Sequence, residues 1–277
     1  MSTSSERAVL TTGANSGIGL ATVIELARRG FRSIGSVRSE AKAEQVQRAA
    51  AEAGVTVETV LLDVADAGQC EQVMADLELY GLVNNAGYAV VGAIEDVGDE
   101  DVRQVLETMV VAPMRLARLA LPGMRAQGGG RIVNMCSIAG RLSVPLGGWY
   151  NAAKHAVETL SDSLRMEVAR DGVKVILIEP GGFRTGIWDE FARGIARQRE
   201  EGSRNVAAYE RSLQLQRLVE PIMGSPEQCA RVVAGAVASS HPRHRYLVGL
   251  DAQWLSLSTR LTPTPIQDRV IRIALGL

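Results

Sequence analysis

The chain has 277 residues and carries 30 Lys+Arg against 31 Asp+Glu, a formal net charge of -1. That balance leaves no basic excess for nucleic acid or an anionic membrane, and 4% aromatics are too few for a base-stacking platform. A hydrophobic fraction of 46% is ample for one buried core at this length. Cys70, Cys136 and Cys229 are scattered without metal-ligand spacing, as expected of a reduced, cytoplasmic protein. Residues 1–7 are polar, and no run approaches the ~18 apolar residues of a membrane span.

In chain order, a short β-prone run at 8–11 leads through a Gly-rich turn into a helix ending near 29. A strand at 33–37 precedes a helix over 40–53, and β-branched content makes 55–62 a third strand. A helix over 66–79 leads to a strand at 82–84. A long helical region covers 99–125, with Pro113 placed to kink it. Strands at 131–135, 173–178 and 246–248 complete the pattern, with a strong helix over 149–169. Strands spaced by helices of this length require right-handed crossovers. The expected fold is α/β: a doubly wound parallel sheet with helices on both faces, in a single domain of 1–277. Within it, residues 6–185 form the cofactor and catalytic core. The Arg/Glu/Gln-rich segment 186–224 reads as a helical substrate lid, and 251–277 as a C-terminal tail.

The first turn, Thr12-Gly13-Ala14-Asn15-Ser16-Gly17-Ile18-Gly19, lets a backbone approach a pyrophosphate closely at the positive end of the following helix. Its spacing is G-x-x-x-G-x-G, not the G-x-G-x-x-G of most dinucleotide folds. Further on come Asn84-Asn85-Ala86-Gly87 after the fourth strand, Tyr150 and Lys154 at Y-x-x-x-K spacing, and Ser137, 13 residues before the tyrosine. Together these resemble the short-chain dehydrogenase/reductase family over roughly residues 6–190. The segment around Tyr150-Asn151-Ala152-Ala153-Lys154-His155 resembles the branch containing 17β-hydroxysteroid and retinol dehydrogenases.

The resemblance implies an oxidoreductase using a nicotinamide cofactor, with Ser137, Tyr150 and Lys154 catalytic. Cofactor contacts fall on Gly13, Asn15, Ser16, Gly17, Ile18, Gly19, Asp63, Val64, Asn85, Ala86, Gly87, Pro180, Gly181 and Thr185, with Tyr150 and Lys154 shared. The second strand ends in Val37-Arg38, with no acid to bind the ribose hydroxyls of NAD. Arg38 is placed instead for the 2′-phosphate, so NADP(H) is expected in preference to NAD(H). Tyr150 and Lys154, at i and i+4, share a helix face, and a nearby ammonium lowers a phenol's pKa. Tyr150 then serves as general acid/base while Ser137 stabilises the substrate oxygen.

Met109 stands where the family has Asn, a fourth catalytic group whose main-chain carbonyl is thought to hold a proton-relaying water. Two readings stand: a relay kept through the backbone, or a nucleotide-binding regulator with impaired catalysis. The intact trio favours the first. It also favours simple redox over a lyase or epimerase. No metal is expected, because His241 and His244 lack an accompanying carboxylate or Cys. His155 faces away from the Lys154 side of its helix and reads as packing.

Leu142, Val144, Leu146 and Trp149 on one loop, and Phe183, Ile187, Trp188 and Phe191 on another, suit a lipophilic alcohol or carbonyl substrate. The amphipathic tail has three readings, in order: a cap on the pocket, a face for a partner subunit, a membrane contact. The family resemblance also implies a homodimer, through helices near 102–120 and 150–169.

Overall fold

A computed structural model of the protein describes residues 7–277; the polar stretch 1–6 lies outside the described residues. Seven strands, β1 (Ala8–Thr11), β2 (Arg32–Val37), β3 (Glu58–Leu61), β4 (Gly81–Asn84), β5 (Gly130–Met135), β6 (Val173–Pro180) and β7 (Arg245–Val248), form one sheet. Their order is β3-β2-β1-β4-β5-β6-β7 and every pairing is parallel. The order reverses at β1, between β2 and β4, which opens a crevice beyond the carboxyl ends of those strands.

The sheet is covered on both faces, and strand periodicity shows how. Leu10, Leu82 and Ile132 enter one apolar cluster; their neighbours Val9, Val83 and Val133 enter another, each at 0% exposure. Successive side chains of a strand point to opposite faces, so central strands buried on both sides are apolar at every position. Helix α1 (Gly17–Arg28) follows β1, α2 (Glu40–Glu52) follows β2, and α3 (Ala67–Ala75) follows β3. The third strand is shorter than the sequence suggests, and α3 starts one residue later because Asp66 caps it. The Asp66 carboxylate accepts from Gln69 N at 3.0 Å.

The long helical region is not continuous. Helix α4 (Asp99–Leu106) passes into a π-helical turn at Glu107–Val111 before α5 (Ala112–Ala126). Pro113 sits in the first turn of α5, where a missing N–H costs little, and the distortion lies just upstream. Helix α6 (Gly148–Glu167) carries Tyr150 and Lys154.

The segment after β6 forms α7 (Ile187–Glu200), α8 (Val206–Val219) and a 3₁₀ turn at Glu220–Ile222. Helix α9 (Pro226–Ala238) was not anticipated, yet its start is legible: Ser225 and Gln228 form a capping box around Pro226. It packs against α1 and buries Cys229, Val233 and Val237 on the sheet. The tail is two helices, α10 (Leu250–Leu261) and α11 (Thr264–Leu275), with Leu250, Trp254, Leu257 and Leu261 exposed along α10. No helix among the described residues is long and apolar enough to cross a membrane.

Candidate functional site

The Gly-rich turn leaves β1 beside the end of β4, and side chains lock the two together. Asn85 Nδ2 donates to Thr12 O at 2.9 Å and Gly13 O at 3.2 Å, while Asn85 N and Ala86 N both donate to Thr12 Oγ1 at 2.9 Å. Gly13 adopts φ +67, and a Cβ there would stand 3.0 Å from Ala86 Cα. Gly17, at φ +53, would press a Cβ to 3.3 Å from Thr185. Only glycine allows both the left-handed turn and this approach. The Asn85 side chain is therefore occupied in bracing the turn, and its neighbours Ala86 and Gly87 face the crevice.

A cavity of about 1740 Å³ opens there. Every residue assigned from sequence to cofactor or catalysis lines it: Gly13, Asn15, Ser16, Gly17, Ile18, Gly19, Arg38, Asp63, Val64, Asn85, Ala86, Gly87, Ser137, Tyr150, Lys154, Pro180, Gly181 and Thr185. Arg38 is exposed and has no hydrogen bond or ion pair among the described residues. Lys42, on the first turn of α2, joins it on the cavity wall. The sequence reading missed Lys42, although a cation one helical turn beyond Arg38 was a readable signal. Ser36 Oγ also lines the cavity, buried with no partner among the described residues. Asp63 is partly committed to its own turn, its carboxylate accepting from Ala65 N at 3.0 Å.

A cradle closed to any Cβ, a helix N-terminus and an unpartnered hydroxyl fit a nicotinamide dinucleotide. Gly13, Gly17 and Gly19 would face its pyrophosphate, with Arg38 and Lys42 on the adjoining wall.

Ser137 follows β5 and caps a short 3₁₀ turn at Ile138–Gly140, its hydroxyl accepting from Ala139 N at 3.1 Å. The same hydroxyl donates to Pro180 O at 3.5 Å, across to the end of β6. Lys154 Nζ donates to Met135 O at 2.8 Å and stands 5.7 Å from the Tyr150 ring centroid. Burial governs both groups. It pushes the Tyr150 phenol up to about 12, with the Ser137 hydroxyl working against the rise, and holds the Lys154 ammonium below its usual range. The sequence argument expected Lys154 to lower the phenol. Instead its ammonium points to a carbonyl on β5, and desolvation dominates. Asn151, unassigned from sequence, ties α6 to the Ser137 loop by donating to Ala139 O at 3.0 Å and Leu142 O at 2.8 Å.

Met109 lies in the π-helical turn, 2% exposed, its side chain 3.5 Å from where a Gly87 Cβ would stand. It packs in a cluster with Tyr88, Trp149 and Tyr150.

On the substrate side, Leu142, Val144, Phe183, Ile187, Trp188 and Phe191 line the cavity. Leu146 and Trp149 do not. Leu146 packs beneath the lid with Val91, Ile195 and Tyr209, and Trp149 joins the Met109 cluster. The lid is pinned to the segment after β4: Tyr209 OH donates to Asp96 at 2.7 Å and accepts from Ala93 N at 2.6 Å, and Ala89 N donates to Glu190 at 3.1 Å. Leu250, Gln253 and Leu255, on α10, also line the cavity. His155 Nδ1 donates to Asn151 O at 2.9 Å, within its own helix.

The short chain dehydrogenase family profile matches residues 7–196. The uncharacterized oxidoreductase YusZ of Bacillus subtilis is 32% identical over 276 residues, covering 96% of this chain and 98% of its own. Retinol dehydrogenase 5 of Homo sapiens is 32% identical, covering 95% of this chain and 87% of its own. Among solved structures, a short-chain dehydrogenase from Streptomyces avermitilis superposes with a TM-score of 0.78 at 30% identity, covering 97% and 96% of the two chains. A variant of actinorhodin polyketide ketoreductase, solved with NADPH, gives 0.77 at 26% identity, covering 92% and 99%. With its parallel seven-stranded sheet and a family match over most of its length, this chain belongs to the short-chain dehydrogenase family of oxidoreductases.

Proposed function

We propose that the protein interconverts a lipophilic secondary alcohol and its ketone, or an aldehyde, with NADP(H) as cofactor. One observation carries this reading: Ser137, Tyr150 and Lys154 share a single cavity with two cations, Arg38 and Lys42, and with the apolar side chains of Leu142, Val144, Phe183, Ile187 and Phe191. The cofactor, when bound, supplies or accepts the hydride. Ser137 Oγ hydrogen-bonds the substrate oxygen, and Tyr150 Oη gives that oxygen a proton in reduction or takes one in oxidation. Lys154 keeps a positive charge beside the phenol and stays anchored to β5 through Met135 O. These apolar side chains exclude water from the reacting carbon and favour a lipophilic carbonyl. The names of relatives and neighbours support both halves of the reading, a retinol dehydrogenase for the substrate class and a ketoreductase solved with NADPH for the cofactor.

The same reading places the enzyme in the cytoplasm as a homodimer. The dimer is supported by Val111, Leu160 and Met166, exposed apolar side chains on the helical regions the family pairs. The test is NADPH and NADH binding by cofactor fluorescence, followed by turnover on lipophilic ketones and alcohols. Turnover with NADPH that Tyr150→Phe abolishes is the expected result. Binding without turnover on any carbonyl, unchanged by Tyr150→Phe, would point to a nucleotide-binding regulator instead.

A further inference from the structure

A cluster of five acidic and basic side chains lies behind the catalytic trio, outside the cavity. At its centre is Glu179 on β6, 0% exposed. Arg141 grips it with both arms of its guanidinium: Nε meets Oε2, and Nη2 donates to Oε1 at 2.8 Å. Arg245 on β7 approaches from the other side, its Nε 3.4 Å from Glu179 Oε1. Arg245 also donates to Glu158 at 3.2 Å and Asp162 at 2.5 Å, both on α6. None of the five lines the cavity.

A carboxylate with no exposure cannot stay charged without partners, and a buried ion pair adds little net stability over apolar packing. What it does enforce is geometry, since a two-armed guanidinium fixes distance and orientation together. The segments it joins are those that carry the chemistry. Arg141 ends the turn that begins at Ser137. Glu179 immediately precedes Pro180, whose carbonyl accepts from the Ser137 hydroxyl. Glu158 lies four residues beyond Lys154 on the same helix face. The fit between these segments is close, because a Cβ on Gly140 would stand 3.1 Å from Lys154 O and 2.7 Å from Cys136 Sγ.

We propose that Glu179, acting through Arg141 and Arg245, is a positioning residue that holds Ser137 in register with Tyr150 and Lys154. The catalytic consequence rests on the oxidoreductase reading above; the structural one does not. Loss of the Glu179 charge leaves the Arg141 guanidinium without its carboxylate, while Arg245 keeps Glu158 and Asp162, so the link from the Ser137 turn to α6 is broken at Arg141.

The full-length chain carrying Glu179→Gln tests this by backbone amide exchange and by kinetics. Exchange should rise about tenfold or more across residues 137–142 and stay unchanged across β1 and α1. A displacement near 1 Å at Ser137 should lower kcat roughly 10–100-fold, with the NADPH Kd held within about twofold. Arg141→Lys, which keeps a charge on Glu179 but loses the two-armed grip, should retain more kcat than Arg141→Ala. Should Glu179→Gln fail to fold, Arg141→Ala, on the more exposed side of the pair, carries the same measurements. Unchanged exchange at 137–142 together with unchanged kcat would overturn the proposal, as would exchange that rises over the whole chain. If the parent protein turns over no carbonyl at all, the functional reading falls, while the exchange measurement still decides the clamp.

Discussion

Pro113 stands four residues after Met109 and has no N–H to offer the Met109 carbonyl. In a regular helix that carbonyl would accept from residue 113. Here the chain instead makes a π-helical turn at Glu107–Val111, and the distortion is held without any side-chain amide at position 109. Met109 keeps it by packing, buried beneath Gly87 and among Tyr88, Trp149 and Tyr150. A relay through the backbone needs only the Met109 carbonyl, which methionine retains. Met109→Asn should therefore change kcat by less than about tenfold, equivalent to ~1.4 kcal/mol. A rise of several orders of magnitude in steady-state turnover would mean that the parent relay is broken.

Arg38 and Lys42 should act on the cofactor phosphate and on nothing else. Charge-assisted hydrogen bonds are worth about 1.5–3 kcal/mol, so Arg38→Ala should weaken NADPH binding roughly 10–100-fold. Lys42→Ala should produce a smaller loss in the same direction. NADH titrations of both variants should match the parent; equal or tighter NADH binding by the parent itself would reverse the cofactor preference.

The buried phenol sets the pH behaviour. With the Tyr150 phenol pushed up to about 12, the proton needed for reduction is present throughout the neutral and mildly alkaline range. Alcohol oxidation needs the deprotonated form, so its kcat should climb with pH through that range while reduction stays flat. The same shift carries a stability term. The unfolded phenol ionises near ~10, and the folded one holds its proton longer. Its contribution is complete below that value and is lost as pH rises toward 12. Thermal melts of the parent and Tyr150→Phe over this interval should diverge, with the parent losing more.

Tyr209 is 0% exposed and joins the lid to the core through Asp96 and Ala93 N. Tyr209→Phe keeps the ring but strands Ala93 N, while Asp96 retains Ser203 and Asn205, at a cost of about 1–3 kcal/mol. Chemical denaturation should register that loss. KM for bulky ketones should change more than KM for small ones, because Ile195 and Ala208 in the same cluster hold α7 and α8 over the cavity.

All three cysteines are buried, and burial lifts each thiol: Cys70 moderately, Cys136 well above its usual range, Cys229 to about 12. The thiolate is the reactive form, so the native protein should resist thiol reagents at neutral pH until it is denatured. Rapid labelling of Cys136 in the folded state would show that the Ser137 loop opens.

Much of this protein could be read from sequence because its signals are local. Apolar runs separated by helix-length segments determine a parallel α/β sheet, and Gly13, Gly17 and Gly19 announce a tight strand-to-helix turn. Tyr150 and Lys154 fall on one face of α6 by helical period alone. Other features needed distant segments to meet. Nothing near Tyr150 in sequence says that desolvation outweighs the Lys154 charge, because that balance depends on Lys154 reaching Met135 on β5. Leu146 and Trp149 have the same apolar character as Leu142 and Val144; only tertiary packing, against α7 and α8 for Leu146 and against the π-helical turn for Trp149, decided which pair packs and which lines the cavity. Glu179 and Arg141 are ordinary charges in the linear chain, and it is the pairing of β6 beside β5 that buries one against the other. Period and turn chemistry act over a few residues and survive in sequence, whereas burial and electrostatics are properties of what the fold brings alongside.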